Sequence, residues 1–85
     1  MPKSVFTDAY AILLSTLVTL RKRSGVSQVE LARRLGRPQP FVSYLERGER
    51  RIDLIEFHAI VRALDADPVT VFAEIAAKLP DKILI

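Results

Sequence analysis

The segment 27–48 constrains the fold of this chain more than any other part, because it predicts two short helices joined by a tight turn. Ser27 and Glu30 have the spacing of a capping box, which fixes the start of a helix at the residue after Ser27. Apolar residues then recur at helical spacing. Gly36 follows the last of them, where a left-handed backbone conformation ends a helix at the lowest cost. The sequence therefore predicts a helix over 28–35.

The second helix of the segment begins among prolines. Pro38 and Pro40 stand where a new helix can begin but where the preceding helix cannot continue. Helical spacing of apolar residues resumes at Val42 and Leu45, and a glycine ends the pattern. We therefore predict a helix over 39–47, and two short helices separated by such a turn are typical of a helix-turn-helix motif.

Three stretches of the chain carry a resemblance to a known family. They are SQVELARRLGRPQPFVSYLERG, LRKRSGVSQVELA and IDLIEFHAIVRALDADPVTVF. Over roughly residues 13–75 the chain resembles the Cro and C1-type repressors, which are also called the XRE family of helix-turn-helix regulators. The resemblance implies an all-α fold, a compact five-helix bundle of the lambda-repressor-like DNA-binding type, with the helix-turn-helix at helices 2 and 3.

Three further helices complete the predicted bundle. Asp53 and Glu56 form a second capping box, and Asp67 is a cap followed by a first-turn proline. The short loops between these elements indicate a single domain over 1–85. The additional helices are predicted from Ser4 or Thr7 to Arg23, from Leu54 to Leu64, and from Pro68 to Lys78.

The residue composition argues against catalytic and metal chemistry. The chain has no cysteine and a single histidine, His58, so neither a disulfide nor a zinc site can be built from these side chains. No serine–aspartate partner accompanies His58 in a recognisable pattern. We therefore expect no enzyme activity, no cofactor and no metal.

An apolar run over 9–20 raises the alternative of a signal peptide or a membrane segment. The run is too short to span a bilayer, and Arg21, Lys22 and Arg23 follow it instead of a small-residue cleavage site. A cytoplasmic protein that does not enter a membrane is the prediction.

Positive charge is concentrated in the middle of the chain. Residues 21–51 contain nine lysines and arginines against three acids, whereas the rest has four bases against seven acids. The central part therefore carries a net charge of +6 and the remainder −3. An ordinary solvated basic face is the alternative, but together with the motif this distribution indicates a surface for nucleic-acid phosphates.

Apolar residues make up 49% of the chain, which is more than a small basic monomer needs for its core. The predicted core comprises Leu13, Leu17, Leu20, Val26, Leu31, Ala32, Leu35, Val42, Leu45, Leu54, Phe57, Ile60, Val61, Leu64, Val71, Phe72 and Ile75. The apolar residues left over form a second stripe on the first helix and the C-terminal tail, namely Val5, Phe6, Leu14, Val18, Ile83, Leu84 and Ile85. Packing among the termini of one chain is one explanation, and a homodimer interface of helix 5, the tail and the helix 1 extension is the favoured one.

Base contacts are predicted on the outward face of the second motif helix. The resemblance implies that Gln28 contacts a phosphate and supports Gln39. The Gln39 amide offers a donor and an acceptor together, which suits adenine. Ser43 and Tyr44 can reach base edges, a thymine methyl or phosphate, whereas Pro40 offers only apolar contact.

Phosphate contacts are predicted for arginines that flank the second motif helix, because a guanidinium group can clamp the DNA backbone. Arg33 and Arg34 lie later on the first motif helix, where at least one of them is expected to be a solvated charge, and both are left out. For Phe41 the sequence leaves two alternatives, partial packing against the core and contact with the edge of the DNA groove. The predicted phosphate contacts are Gln28, Arg23, Arg37, Arg47, Arg50 and Arg51.

A different role is implied for Arg21. The resemblance places Arg21 and Glu46 at family positions that form a mostly buried ion pair between helix 1 and the end of helix 3. Such a pair fixes the orientation of the second motif helix more clearly than it stabilises the fold.

The sequence as a whole predicts a sequence-specific regulator of transcription that binds double-stranded DNA as a homodimer on a roughly palindromic operator, as a repressor or an autoregulator. A restriction-modification controller and an antitoxin both fit a chain of this size. The alternative is a helical protein-interaction module, or an antitoxin-type partner protein, that kept the fold without the operator.

Overall fold

The computed structural model describes residues 8–85, and this part of the chain folds into five α-helices without strands. The predicted all-α class is confirmed. The third and fourth helices end one residue earlier than predicted, and the predicted start of the first helix lies outside the described residues. The helices are α1 (Asp8–Arg23), α2 (Gln28–Leu35), α3 (Gln39–Glu46), α4 (Leu54–Ala63) and α5 (Pro68–Lys78).

The turn between α2 and α3 has the predicted backbone chemistry. Gly36 takes a left-handed conformation with φ 69°, and its N–H donates to the carbonyl of Arg33 at 3.1 Å. The N–H of Arg37 donates to the carbonyl of Ala32 at 2.9 Å. These two bonds satisfy carbonyls that the end of α2 leaves without partners, so the chain leaves α2 in a fixed direction.

The two predicted capping boxes differ. Asp53 and Glu56 form a complete box at the start of α4, with nitrogen–oxygen distances of 2.7 and 3.1 Å. At the start of α2, Ser27 accepts the N–H of Glu30 at 3.0 Å, but the Glu30 carboxylate accepts from two arginines one turn later. Those hydrogen bonds, chiefly from Arg33 and then from Arg34, lower the pKa of Glu30 to about 2. The second half of that predicted box is therefore wrong, because nearby cations hold the carboxylate.

The core lies where α2, α3 and α4 meet, with α1 and α5 packed around them. Val42 and Val61 are its most enclosed side chains, at 1% and 0% exposure. Most of the predicted core is buried, and Leu13, Leu20 and Leu35 are half-buried against it. The fully buried apolar residues are Leu14, Leu17, Val26, Leu31, Ala32, Val42, Leu45, Phe57, Ile60, Val61, Leu64, Val71 and Ile75.

The buried face of α1 is centred differently from the prediction. Leu14, Leu17 and Arg21 recur at intervals of three and four, and all three are buried. The prediction that Leu14 lies in a dimer interface is therefore wrong, because the core of the protomer encloses it. Val18 is half-buried, and the predicted contacts Val5 and Phe6 lie outside the described residues.

Two residues of the predicted core are on the surface. Leu54 is 75% exposed, because it is the first residue of α4 and the buried face of that helix begins at Phe57. Phe72 is 51% exposed, since α5 buries only the narrow stripe of Val71 and Ile75. The ring of Phe72 meets that of Phe57 edge to face, with 6.4 Å between centroids. An apolar surface therefore remains where α4 and α5 begin.

Candidate nucleic-acid interface

A buried ion pair joins the end of α1 to the end of α3. The guanidinium group of Arg21 donates to both carboxylate oxygens of Glu46, at 2.6 and 2.9 Å, and to the carbonyl of Val26 at 2.8 Å. The side chains of Arg21 and Glu46 are 9% and 14% exposed. The pair that the resemblance implies is thus present, and it fixes α3 against α1 with the charges largely removed from water.

The same carboxylate begins a chain of hydrogen bonds that reaches the start of α3. Gln28, the first residue of α2, donates its amide N–H to Glu46 at 2.9 Å. The Gln28 carbonyl oxygen in turn accepts from the amide of Gln39 at 2.9 Å. One oxygen and one N–H of the Gln39 amide remain for another partner. The side chain predicted to contact a base is therefore held in one orientation through Gln28, Glu46 and Arg21.

The four predicted base contacts share the surface of α3. Pro40 and Tyr44 are exposed, and Gln39 and Ser43 are half-buried. The Ser43 hydroxyl accepts a hydrogen bond from Arg47, whose guanidinium group also lies 5.3 Å from the centroid of the Tyr44 ring. Ser43 and Tyr44 thus position Arg47 in the free protein.

Two of the predicted phosphate contacts are paired with acids. Arg47 donates to Glu49 at 3.0 and 3.1 Å, and Arg50 donates to Glu56 at 2.9 and 2.8 Å. These hydrogen bonds hold the pKa of Glu49 and that of Glu56 below their usual range, with the Asp53 backbone contributing at Glu56. A phosphate must compete with a carboxylate for either guanidinium group, which reduces the gain from each contact.

The other three arginines predicted to contact phosphates are exposed and form no close ion pair within the described chain. Arg23, Arg37 and Arg51 are exposed, and none of them forms an ion pair with an acid of the described chain. Arg37 lies 4.4 Å from the centroid of the Phe41 ring, and Arg51 lies 5.5 Å from that of Tyr10. No carboxylate is hydrogen-bonded to these guanidinium groups, although Glu56 attracts Arg37 at longer range, so an anionic partner need not displace an acid.

Sequence reasoning missed the role of Tyr10. Its hydroxyl donates to the carbonyl of Arg50 at 3.4 Å and accepts the N–H of Ile52 at 2.9 Å. Tyr10 therefore fastens the loop between α3 and α4 to the first helix. No local signal could reveal this contact, because the partners are 40 and 42 residues apart in the sequence.

The arginines left out of the prediction have structural partners. Arg33 and Arg34 both pair with Glu30 on the same helix, at 2.6 and 2.8 Å. Arg34 also donates to the carbonyl of Ala63 at 2.8 Å, which links α2 to the end of α4.

Residues 8–85 contain no group of three or more acidic, histidine or cysteine side chains that could hold a metal ion. His58 lies exposed on α4. Among these residues, no helix combines the length and the apolar character that crossing a membrane requires.

Comparison with known proteins agrees with this geometry. A family model described as a helix-turn-helix domain matches residues 13–72. An XRE-family like protein from Pseudomonas syringae pv. tomato str. DC3000 is 44% identical, and its structure covers 85% of this chain and 88% of its own with a TM-score of 0.80. The clp gene regulator ClgR from Corynebacterium glutamicum is 27% identical, with a TM-score of 0.72 over 84% of this chain and 76% of that one.

A curated relative shares a shorter stretch. The antitoxin HigA1 of Mycobacterium tuberculosis (strain ATCC 25618 / H37Rv) is 43% identical over 54 residues. These are 64% of this chain and 36% of the antitoxin. The chain therefore spans about a third of the length of the curated relatives that it matches.

The fold and the site define an all-α protein built around a helix-turn-helix of α2 and α3, and α3 occupies the position of the motif's second helix, which is called the recognition helix. The family match and the relative from Pseudomonas syringae take the assignment one step further. This chain belongs to the XRE family of helix-turn-helix proteins. The family and the fold are those of DNA-binding transcription regulators and not of enzymes.

Proposed function

We propose that this chain, as a single helix-turn-helix domain, binds double-stranded DNA sequence-specifically as a homodimer and regulates transcription from a roughly palindromic operator. It acts in the cytoplasm as a repressor or an autoregulator, without catalytic activity, cofactor or metal. The observation that carries this proposal is the fixed Gln39 amide at the start of α3, between loops that carry arginines on both sides.

In this proposal Gln39 contacts a base, whereas the arginines contact phosphates. An amide with a free donor and a free acceptor reads adenine in the major groove, and Pro40 and Tyr44 add apolar contact beside it. The open arginines Arg37 and Arg51 contact phosphates, which orient the protein without reading sequence. Selection of random duplexes, followed by sequencing, tests binding and reveals the operator in one step.

DNA binding is expected to weaken steeply with salt. Several arginines displace counterions from the DNA, so the log-log slope should have a magnitude on the order of 4 to 8 for a dimer. A titration of labelled duplex across ionic strengths measures it. A flat response, or no binding at low salt, would contradict the proposal.

Replacing Gln39 with alanine is expected to cost roughly 1 to 3 kcal/mol at the selected operator and little on random DNA, because a base contact is lost. Arg51→Ala is the matched control, since it removes a phosphate contact and should weaken both complexes by similar factors. Affinities for the two DNAs decide between the roles. An unchanged ratio of operator to random binding in Gln39→Ala would show that Gln39 reads no base.

The proposed dimer uses the apolar surface at the start of α4 and α5, here called the α4/α5 face. Its exposed members are Leu54, Ile55, Val69 and Phe72, at 51% to 76% exposure. They line a groove of about 390 Å³ together with Phe57, His58 and Pro68.

The C-terminal tail extends the α4/α5 face. Ile83 is 43% exposed, Leu84 is 88% exposed, and Ile85 is fully exposed. Phe72 borders both the α4/α5 groove and a second groove of about 500 Å³ beside the tail. A continuous apolar surface of this kind marks a protein contact, and a second copy there supplies the second recognition helix that two half-sites about 34 Å apart require.

An antitoxin-type partner protein is the second candidate function. The identity to antitoxin HigA1 over 54 residues favours it. In that case the α4/α5 face binds a different protein in place of, or in addition to, a second copy. A chain that stays monomeric and ignores duplex DNA at low salt would favour this function over the first.

A further inference from the structure

The aromatic ring of Phe41 contacts two of the predicted phosphate arginines at once. The guanidinium carbon of Arg37 lies 4.4 Å from the ring centroid, and that of Arg50 lies 4.9 Å from it. Both distances are within the range of a cation–π contact. Phe41 is half-buried, so one part of the side chain packs against the core while the ring stays accessible to both guanidinium groups.

The two arginines come from opposite ends of the recognition helix. Arg37 lies in the turn before α3, and Arg50 lies in the loop after it. Phe41 belongs to the first turn of α3 itself. We propose that Phe41 is a positioning residue for DNA binding, whose ring holds Arg37 and Arg50 against the recognition helix in the orientation that meets the phosphates. This inference rests on the proposed function.

The contacts around Arg50 support this role. The loop backbone is fixed independently, since the Tyr10 hydroxyl bonds on both sides of Arg51, at the carbonyl of Arg50 and the N–H of Ile52. Glu56 holds the Arg50 guanidinium group through two hydrogen bonds at 2.9 and 2.8 Å. The carbonyl of Arg51 also accepts from this guanidinium group at 2.9 Å, so Phe41, Glu56 and that carbonyl together set its place.

Arg37 depends on the ring more strongly. It forms no close ion pair with an acid of the described chain, and Glu56 attracts it only at longer range, so its close side-chain contact is the one with Phe41. A free arginine side chain loses much rotamer freedom when it binds a phosphate. A guanidinium group already stacked on a ring has lost part of that freedom in advance, so the ring lowers the entropic cost of the phosphate contact.

Replacing Phe41 with leucine tests the proposal. Leucine keeps an apolar side chain against the core but removes the ring, so affinity for operator and random DNA should fall together by about fivefold or more, given cation–π contacts worth a factor of about two to five each. Phe41→Tyr is the matched control, because it keeps the ring and should stay within about twofold of the parent chain.

A double-mutant cycle shows whether the ring acts through Arg37. Arg37→Ala should weaken DNA binding in the parent chain and have a smaller effect when Phe41 is already leucine. Equal effects in both backgrounds would overturn the proposal. A change in the ratio of operator to random binding in Phe41→Leu would also overturn it, since the ring would then read a base itself.

A measurement without DNA separates this proposal from the proposed function. NMR of the free protein should show the side-chain protons of Arg37 shifted upfield by the ring, and Phe41→Leu should abolish the shift. If the parent chain shows this shift but binds no duplex at low salt, the proposed function is wrong. The contact between Phe41 and Arg37 then exists but has no role in DNA binding. If the shift is absent while DNA binds, the positioning role alone is wrong. Arg37→Lys keeps the charge without the planar stack and provides the same test should Phe41→Leu fail to fold.

Discussion

Replacing Glu46 with glutamine is expected to lower the free energy of unfolding by about 3 kcal/mol or more, because it strands a buried cation. The side chain of Arg21 is 9% exposed, and both of its bonds to Glu46 would lose the opposite charge. Domains are stable by only about 5 to 15 kcal/mol, so the loss is a large fraction of the total. Chemical denaturation of the parent chain and the variant measures it.

Glu49→Gln is the matched control for that experiment. Glu49 also accepts two hydrogen bonds from one arginine, Arg47, but both side chains are more than half exposed. Exposed pairs contribute little to stability, so this variant should unfold at nearly the same denaturant concentration as the parent chain. If Glu46→Gln lost no more stability than Glu49→Gln, water would be screening the pair of Arg21 and Glu46, and its role in fixing α3 would be refuted.

The elements of this fold that sequence predicts well are those determined by local chemistry. Gly36 ends α2 because a left-handed conformation is cheapest at a glycine, and Asp53 with Glu56 begins α4 through hydrogen bonds within three residues. Such bonds need no distant partner. The bounds of α2 to α5 therefore follow from the sequence to within a residue.

The buried face of α1 shows where local reasoning fails. An apolar pattern through Leu13, Leu17 and Leu20 excludes Arg21, since an isolated cation does not belong in a core. The actual face runs through Leu14, Leu17 and Arg21, because Glu46 from α3 neutralises the guanidinium group. Periodicity alone therefore predicted a buried face that is rotated by a fraction of a turn about the axis of α1. The resemblance to the family had nevertheless implied the ion pair of Arg21 and Glu46.

Sequence predicted which residue types form the candidate site, but not which of its arginines form ion pairs with acids. Charge counted along the sequence treats Arg37, Arg47 and Arg50 as equivalent. In the structure, Arg47 and Arg50 form hydrogen-bonded ion pairs with acids, whereas Arg37 forms none and interacts with Glu56 only at longer range. Which arginine is open depends on loop geometry, and that geometry depends in turn on the distant Tyr10.

Replacing Val69 with glutamate is expected to abolish the proposed homodimer. Val69 is 76% exposed in the first turn of α5, so the protomer can accept a carboxylate there, where a negative charge also suits the helix dipole. In a symmetric interface the substitution occurs twice. Burying each unpaired carboxylate should cost roughly 2 kcal/mol or more of binding free energy, so the dissociation constant of the dimer should rise about a thousandfold. Sedimentation at micromolar concentration measures the change, and operator binding should fall with it.

Val29→Glu is the matched control, since Val29 is 65% exposed at the same position in the first turn of α2, away from the α4/α5 face. It should leave the sedimentation of the dimer unchanged. Deleting residues 82–85 should loosen the dimer while leaving the helical content nearly intact, because the tail lies outside α5. A parent chain that is monomeric at micromolar concentration would refute the dimer. A charge buried between two protomers is not tolerated without a partner. If the tail deletion dissociated the dimer and Val69→Glu did not, the interface would therefore lie at the tail and not at the α4/α5 face.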